Sequence, residues 1–288
     1  MSSIGSSVVL SASRMTDMPA FYPIELIREV ENRLAKNVKI HTLVLWTKHP
    51  ASLLKDPLYA FLLKLKELNI QLYVQLTITG MGKKVVGFDD RDQPLILEPN
   101  VPEASEAFAL LNKVIALVES PERIKLRIDP ILRIKDFKGT LYSNLASLEP
   151  IIKECVKLNI AHYAFSFLEK DAYKKVNNRF TKRGFEICSS NLQERQQMQT
   201  YITGLEQKYN VSIKACCVSG FAESACIDAL LLEKLNPETQ KISHKQPHSR
   251  AQCGCTSSID IGGWPPKKCY SGCLYCYASP YLGPSGIQ

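Results

Sequence analysis

The sequence predicts an α/β fold built on a parallel sheet, and three observations carry that expectation. Apolar runs of strand length alternate with amphipathic stretches of helix length along most of the chain. The runs are apolar at successive positions rather than at every second one, as strands covered on both faces require. Each is followed by a stretch long enough for the crossover that a parallel connection needs. No Gly-x-Gly-x-x-Gly follows the first run, which removes the simplest dinucleotide-binding open sheet and favours a barrel. The expected architecture is a partial, six-strand βα barrel similar to a TIM barrel over residues 1–240, with a cysteine-rich segment over residues 241–288 folding back on its mouth.

The first strand is predicted at residues 7–11 and the first helix at 23–34, where Pro23 suits the first helical position. Further strands are expected at 41–46, 71–78, 124–129, 160–167 and 211–216, all rich in Val, Ile, Leu or aromatic residues. The intervening helices are expected at 57–68, 103–118, 141–158, 191–209 and 224–234. Asn191 followed by Glu194 has the spacing of a capping box. Over residues 80–101 the pattern lapses into a charged loop with Gly and Pro, long enough to cover a site.

At 288 residues the chain can bury a sizeable core, and 45% hydrophobic with 22% charged residues is an ordinary globular balance. Neither a secretory signal nor a run of roughly eighteen apolar residues is visible, so a cytoplasmic protein without membrane association is expected. In such reducing surroundings ten cysteines are better explained by metal ligation or reactive thiols than by disulfides. Five of the ten, Cys253, Cys255, Cys269, Cys273 and Cys276, fall within the last 36 residues. The net charge of +8 favours anionic partners. Its densest stretch, residues 170–183, reads either as a solvated face or as a site for a phosphate-bearing substrate or nucleic acid.

In parallel βα folds the active site forms at the carboxyl ends of the strands. Those ends gather Ser13, Arg14, Thr16 and Asp17, then Thr47 and Lys48, then Gln75, Thr77 and Thr79. The fourth strand adds Arg127 and Asp129, the fifth Ser166 and Glu169, and the sixth Cys216 and Cys217. Arg14, Asp17, Arg127 and Asp129 are the catalytic candidates, because burying an Arg–Asp pair costs desolvation that packing alone rarely favours. The plainer alternative is that Asp129 shapes a turn before Pro130 and pairs with Arg127 across one strand face. Thr47, Lys48, Gln75, Thr77 and Ser166 are candidate cofactor contacts. His162 reads as a core histidine with a lesser case for acid–base work, and His41, His49, His244 and His248 carry no signal. Cys155 and Cys188 read as buried small hydrophobes, and Cys226 at a helix start as a weak candidate for ligation.

The strongest local signal is Cys269-Tyr-Ser-Gly-Cys273-Leu-Tyr-Cys276-Tyr277. Three thiolates at this spacing can curl around one small inorganic cluster. Gly272 relaxes the backbone where that loop must turn. Zinc is the competing reading, since Cys253 and Cys255 supply further thiolates, but a zinc ribbon would present two Cys-x-x-Cys pairs and only Cys273 and Cys276 form one. Cys253 and Cys255 could ligate a second metal, add a ligand to the cluster, or form a redox pair.

This motif, with an aromatic on each side of its third cysteine, resembles the cluster-binding motif of radical S-adenosylmethionine enzymes. In those enzymes it follows the first strand, whereas here it follows all six. Segments 11–22, 45–50, 75–80, 98–102, 127–131, 226–228 and 253–278 together resemble, in order, a family of bacterial proteins described as a domain of unknown function. That family tends to have Cys-Ala-Glu where this chain has Cys216-Cys217-Val218, which removes the acid from that position. The resemblance implies a 4Fe-4S cluster on Cys269, Cys273 and Cys276 with S-adenosylmethionine chelating its open iron. One-electron cleavage would then give a deoxyadenosyl radical that abstracts hydrogen from a small-molecule or anionic substrate. It also implies an electron donor such as a flavodoxin or ferredoxin, with Arg14 and Arg127 as forks for carboxylates. The alternative is a nucleic-acid-binding protein with a structural cluster or zinc, using residues 170–183 and 241–250.

Overall fold

The computed structural model describes residues 7–239, 241–247 and 252–283. Its frame is a seven-stranded parallel sheet of β1 (Val8–Ala12), β2 (Ile40–Thr47), β3 (Gln71–Thr77), β4 (Ile124–Ile131), β5 (His162–Phe167), β6 (Ser212–Ala215) and β7 (Ile259–Asp260). The spatial order is β6-β5-β4-β3-β2-β1-β7, so the first six strands lie side by side in chain order. Right-handed crossovers produce this order when successive helices fall on the same face. The ladder ends at β6 and β7, which are not paired with each other among the described residues, so a closed barrel is not formed by hydrogen bonding.

Each of the first six strands is followed by a helix: α1 (Pro23–Ala35), α2 (Leu58–Glu67), α3 (Leu111–Val118), α4 (Leu148–Val156), α5 (Leu192–Tyr209) and α6 (Ala229–Leu235). Strand alternation divides the side chains between two environments. Leu43, Leu45, Leu72, Val74, Leu76, Leu126 and Ile128 join Leu26, Val30, Leu62, Leu65, Val114, Ile152 and Ile202 of α1–α5 in the main core. Val9, Val44 and Tyr73 instead pack with Ile227, Ala229 and Leu232, so α6 and its lead-in cover the opposite face.

That second face is polar as well as apolar, and its donors are largely engaged, whereas Gln71 Oε1, Gln75 Oε1 and the Tyr73 hydroxyl have no partner among the described residues. Gln71 Nε2 donates to Thr42 Oγ1 at 3.0 Å and to the Leu232 carbonyl at 3.2 Å. Gln75 donates to the Cys226 carbonyl, and Lys125 Nζ donates to the Ala225 carbonyl at 2.5 Å. The lead-in to α6 is irregular, and the sheet's own side chains satisfy carbonyls that no helix or strand ladder would.

The six predicted strands are all present, and α5 carries the expected capping box, with Asn191 and Glu194 each accepting the other's backbone N–H at 2.9 Å. Other elements differ. The helix expected over 103–118 is broken into Ala104–Phe108 and α3. The stretch 141–158 begins as a strand, Leu141–Ser143, which joins Arg133–Lys135 and Glu186–Ile187 in a small antiparallel sheet, and becomes α4 only at Leu148. Residues 80–101, read as a loop, contain the antiparallel pair Val85–Phe88 and Pro94–Ile96. The helix expected over 224–234 starts five residues late, at Ala229, where Asp228 Oδ1 accepts from the Leu231 N–H.

β7 was outside the six-strand expectation; two residues are too few to show a period. It pairs with the outer edge of β1, Leu10 opposite Ile259 and Ser11 opposite Asp260. The small sheets supply a second apolar cluster, with Leu95, Leu97, Leu132, Ile134, Phe180 and Phe185 packing against Cys273, Leu274 and Tyr275. Among the described residues no helix is long and apolar enough to cross a membrane.

Candidate functional site

A cavity of about 610 Å³ opens at the carboxyl ends of the strands. Ligand pockets fall in this size range. The strand ends contribute Arg14, Asp17, Thr47, Lys48, Thr77, Arg127, Asp129, Ser166 and Glu169. The C-terminal segment forms the facing wall with Cys253, Cys255, Cys269, Cys273 and Cys276, and Cys216, Cys217 and Cys226 bring to eight the number of the ten cysteines that line it. Of the catalytic, cofactor and cysteine candidates named from sequence, Gln75 alone falls outside, as does Thr79 among the other strand-end residues. Gln75 is fully buried beneath the cavity, with its amide nitrogen on the Cys226 carbonyl and its Oε1 without a partner, so it positions that segment.

The loop bearing Cys269, Cys273 and Cys276 is closed by backbone bonds. Cys269 N–H donates to the Ser279 carbonyl and Tyr281 N–H to the Cys269 carbonyl, both at 2.8 Å, and Cys276 N–H donates to the Cys273 carbonyl at 3.1 Å. Gly272 turns the loop with φ +68°, and a Cβ there would stand 3.1 Å from Pro99 Cγ and from the Tyr281 carbonyl oxygen. Thr16 and Tyr22 hydroxyls hold the Lys267 and Lys268 carbonyls at 3.0 and 2.8 Å. His49 shares a 2.9 Å hydrogen bond with Ser271, a contact its sequence context did not suggest.

The basic stretch 170–183 proves to be a clamp on this loop in part. Arg179 Nη1 donates to the Cys276 carbonyl at 2.6 Å, Lys175 Nζ to the Ala278 carbonyl at 2.8 Å, and Tyr173 stacks on Tyr277 with centroids 4.7 Å apart. Lys170 pairs with Glu186. Of the other basic stretch, 241–250, residues 248–250 lie outside the described residues, and Lys241 pairs with Glu233.

Glu98, absent from the sequence-derived candidates, anchors the loop's centre. It is fully buried, and its carboxylate accepts from Lys48 Nζ at 2.8 Å, Thr79 Oγ1 at 2.7 Å and the Tyr275 hydroxyl. Burial alone would lower the Lys48 pKa, but Glu98 and then Cys273 outweigh it and leave the ammonium raised. Burial raises the Cys273 and Cys276 thiols; Cys269 raises both further, and Cys276 adds to the rise at Cys273. Cys276 Sγ also accepts from the Ala278 N–H at 3.4 Å.

Asp17 is engaged within the chain. Its carboxylate caps the helix Met18–Phe21 through Ala20 N–H at 3.1 Å and accepts from Thr47 Oγ1 at 3.0 Å and Lys48 N–H at 2.8 Å. Burial raises its pKa, with His49 and these bonds opposing. Arg127 forms the anticipated pair with Asp129, whose other oxygen accepts from the Ser166 hydroxyl. Its Nη1 lies 2.7 Å from Cys226 Sγ, and both Arg127 and Arg14 lie over the Trp46 ring, at 5.3 and 5.6 Å.

Cys226 departs most from its sequence reading. Its N–H donates to Cys255 Sγ at 3.2 Å, and Cys216 lines the same cavity. The neighbouring Cys216 and Cys255, helped by Arg127 and Lys125, overcome burial and hold the Cys226 thiol well below its ordinary pKa. Cys155 is buried as expected, its thiol pushed up to about 12 by burial, whereas Cys188 is only half-buried. His162 does not line the cavity, and burial lowers its pKa.

Among the described residues no three His, Cys, Asp or Glu side chains are disposed around a common point as metal ligands. The donor chemistry is nevertheless that of a thiophilic centre, because soft thiolates select iron–sulfur clusters and zinc. Each Sγ is set by a single rotatable bond, so cysteines on neighbouring backbone can close on a centre by changing rotamer.

Fold and cavity together define an α/β protein whose parallel sheet carries a cysteine-lined cavity at its carboxyl edge. The chain belongs to the family described as a domain of unknown function (DUF1848), whose model matches residues 9–278. That span runs from β1 through the cysteine loop and includes every residue that lines the cavity. No curated protein matches the chain.

Proposed function

We propose that this chain is an iron–sulfur enzyme of the radical S-adenosylmethionine type, with Cys269, Cys273 and Cys276 as the ligands of a 4Fe-4S cluster. The observation that carries the reading is that these three cysteines share one cavity with the polar strand ends, although they lie more than a hundred residues from most of them in sequence. When bound, the cluster and S-adenosylmethionine would supply a reducing electron and a deoxyadenosyl radical for hydrogen abstraction.

The chain's own part is to bind, orient and exclude. Arg14 makes no ion pair with a carboxylate among the described residues, so its guanidinium is the better placed of the two arginines to take one from a ligand. Arg127, Asp129 and Ser166 form a bonded group on the cavity floor that orients whatever rests on it. Asp17 acts through Thr47 and Lys48, and Glu98 through Lys48 and Tyr275, as positioning residues. Tyr275, with Leu274 and Leu97, backs the loop with apolar surface that keeps water from its inner side.

Sequential strand order and a sheet face filled by α6 fit a partial βα barrel with its mouth at the cavity. Ten cysteines without a disulfide suit a reducing, cytoplasmic setting and a flavodoxin- or ferredoxin-like electron donor. The test is anaerobic purification and reconstitution, followed by S-adenosylmethionine with dithionite. A brown absorbance that bleaches on reduction, and deoxyadenosine formed by wild type but not by Cys273→Ser, are expected. Colourless protein with stoichiometric zinc, or iron-loaded protein that forms no deoxyadenosine, would overturn the reading.

A further inference from the structure

The cavity holds a second group of three cysteines, drawn from separate segments. Cys216 follows β6, Cys226 lies in the lead-in to α6, and Cys255 precedes β7. Cys226 N–H donates to Cys255 Sγ at 3.2 Å, and all three cysteines line the one cavity. Backbone anchors fix each member independently of the sulfurs. Cys216 N–H donates to the Phe165 carbonyl at 2.7 Å, Gln75 holds the Cys226 carbonyl, and Thr256 holds the Ile227 carbonyl through its N–H at 2.8 Å and its hydroxyl at 3.1 Å. The fold therefore sets the three backbone positions, and a change of side-chain rotamer would bring the sulfurs onto one centre.

The surroundings do not suit three structural thiols. Neutral buried thiols behave as small hydrophobes and call for no counter-charge. Here Cys226 and Cys255 are 3% and 2% exposed, yet a buried guanidinium, Arg127, bonds the Cys226 sulfur and the buried ammonium of Lys125 bonds the adjacent Ala225 carbonyl. Desolvating two cations is costly unless negative charge faces them. Asp129 answers one side of Arg127; the other side faces sulfur. A thiolate on Cys226 answers that side, and a metal would hold its neighbouring thiols in the same deprotonated form.

We propose that Cys216, Cys226 and Cys255 form a second thiolate-ligated metal centre, separate from the Cys269, Cys273 and Cys276 loop and facing the same cavity. Its ligand is a thiophilic metal, taken as an iron–sulfur cluster or as a zinc ion. Three protein thiolates leave one position directed to the cavity, where Cys253 also stands in the wall. This inference does not rest on the reading of the loop cysteines, and either centre can exist without the other.

The test uses the full chain, loaded anaerobically with ferrous iron and sulfide in one arm and with zinc in the other, with metal and sulfide counted per chain. Cys273→Ser/Cys276→Ser is expected to keep part of the wild-type metal, and adding Cys226→Ser should remove what remains. The arm that loads the Cys226-dependent site identifies the metal. Far-UV circular dichroism monitors folding; should Cys226→Ser unfold the chain, Cys216→Ser and Cys255→Ser, each removing a flanking thiol, are expected to lower the same fraction. A folded loop variant that holds no metal, or one whose metal is unchanged by all three substitutions, overturns the proposal. So does a Cys216–Cys226 or Cys226–Cys255 disulfide in metal-loaded wild type. Metal that depends on Cys226 but not on Cys273 would uphold this centre while sinking the proposed function; the reverse dependence would do the opposite.

Discussion

The two faces of the central sheet are built on opposite principles. The face turned to α1–α5 is sealed by aliphatic pairs such as Leu45 with Val74 and Leu76 with Leu126, which exclude water without fixing direction. The face turned to α6 mixes a small apolar patch with Gln71, Gln75, Lys125 and Arg127, each buried and each bonded to a carbonyl, hydroxyl, carboxylate or sulfur. Apolar burial gives the first face its stability. The second uses directed bonds to hold irregular backbone in place, and the placement of Cys226 follows from it.

Substitutions should separate the two principles. The largest loss is expected from Lys48→Met, which leaves the fully buried Glu98 carboxylate without its cation and should cost about 3–5 kcal/mol in denaturant unfolding. Unfolding of Lys48→Met/Glu98→Gln should recover part of that loss, because the stranded charge is gone. On the apolar face, Leu126→Ala should cost about 2–5 kcal/mol through lost burial and a cavity, with no change in hydrogen exchange specific to residues 224–228. Lys125→Met should cost less, about 1–3 kcal/mol for the carbonyl left unsatisfied at Ala225, but should speed amide exchange in those residues. Equal exchange in the two variants would show that the polar face is not what orders the lead-in.

The smallest effect is confined to acid. Burial would raise the Glu233 pKa, but the Ile242 N–H, His244 and Lys241 outweigh it and hold the carboxylate down at about 2, against an ordinary 4.5. A depressed carboxylate contributes stability that is present above its unfolded pKa and is lost as pH falls through the folded one. The contribution of Glu233 should therefore fade between about pH 4.5 and 2, and thermal melts of Glu233→Gln across that window should show a flatter decline than wild type.

The six long strands and the polar ends at Arg14, Thr47, Thr77, Arg127 and Asp129 were legible because both signals are local: apolar runs, and polar residues where such runs stop. The 269–276 motif was legible for the same reason. Cys226 was not, because its partners come from residues 216 and 255 and no spacing connects them. A fainter signal did exist in Gln75, Lys125 and Arg127, polar residues set inside apolar strands, which mark a face that meets something other than an aliphatic helix. Glu98 was missed among the charges of its loop; its partners Lys48 and Tyr275 lie 50 and 177 residues away. The helix break at residues 109–110 and the strand Leu141–Ser143 are decided by tertiary packing, which local propensity does not see.

The pairing of β7 with β1 has a consequence for biosynthesis. Ile261 N–H donates to the Ser11 carbonyl at 2.9 Å and Arg14 N–H to Asp260 Oδ2 at 3.4 Å, joining positions about 250 and 246 residues apart. As the chain leaves the ribosome, the outer edge of its first strand therefore waits, unpaired and open to a foreign strand, until residues 259–260 have emerged. Cys255 emerges just ahead of that closing strand and the loop bearing Cys269, Cys273 and Cys276 just after it, so the cysteine wall of the cavity is assembled last.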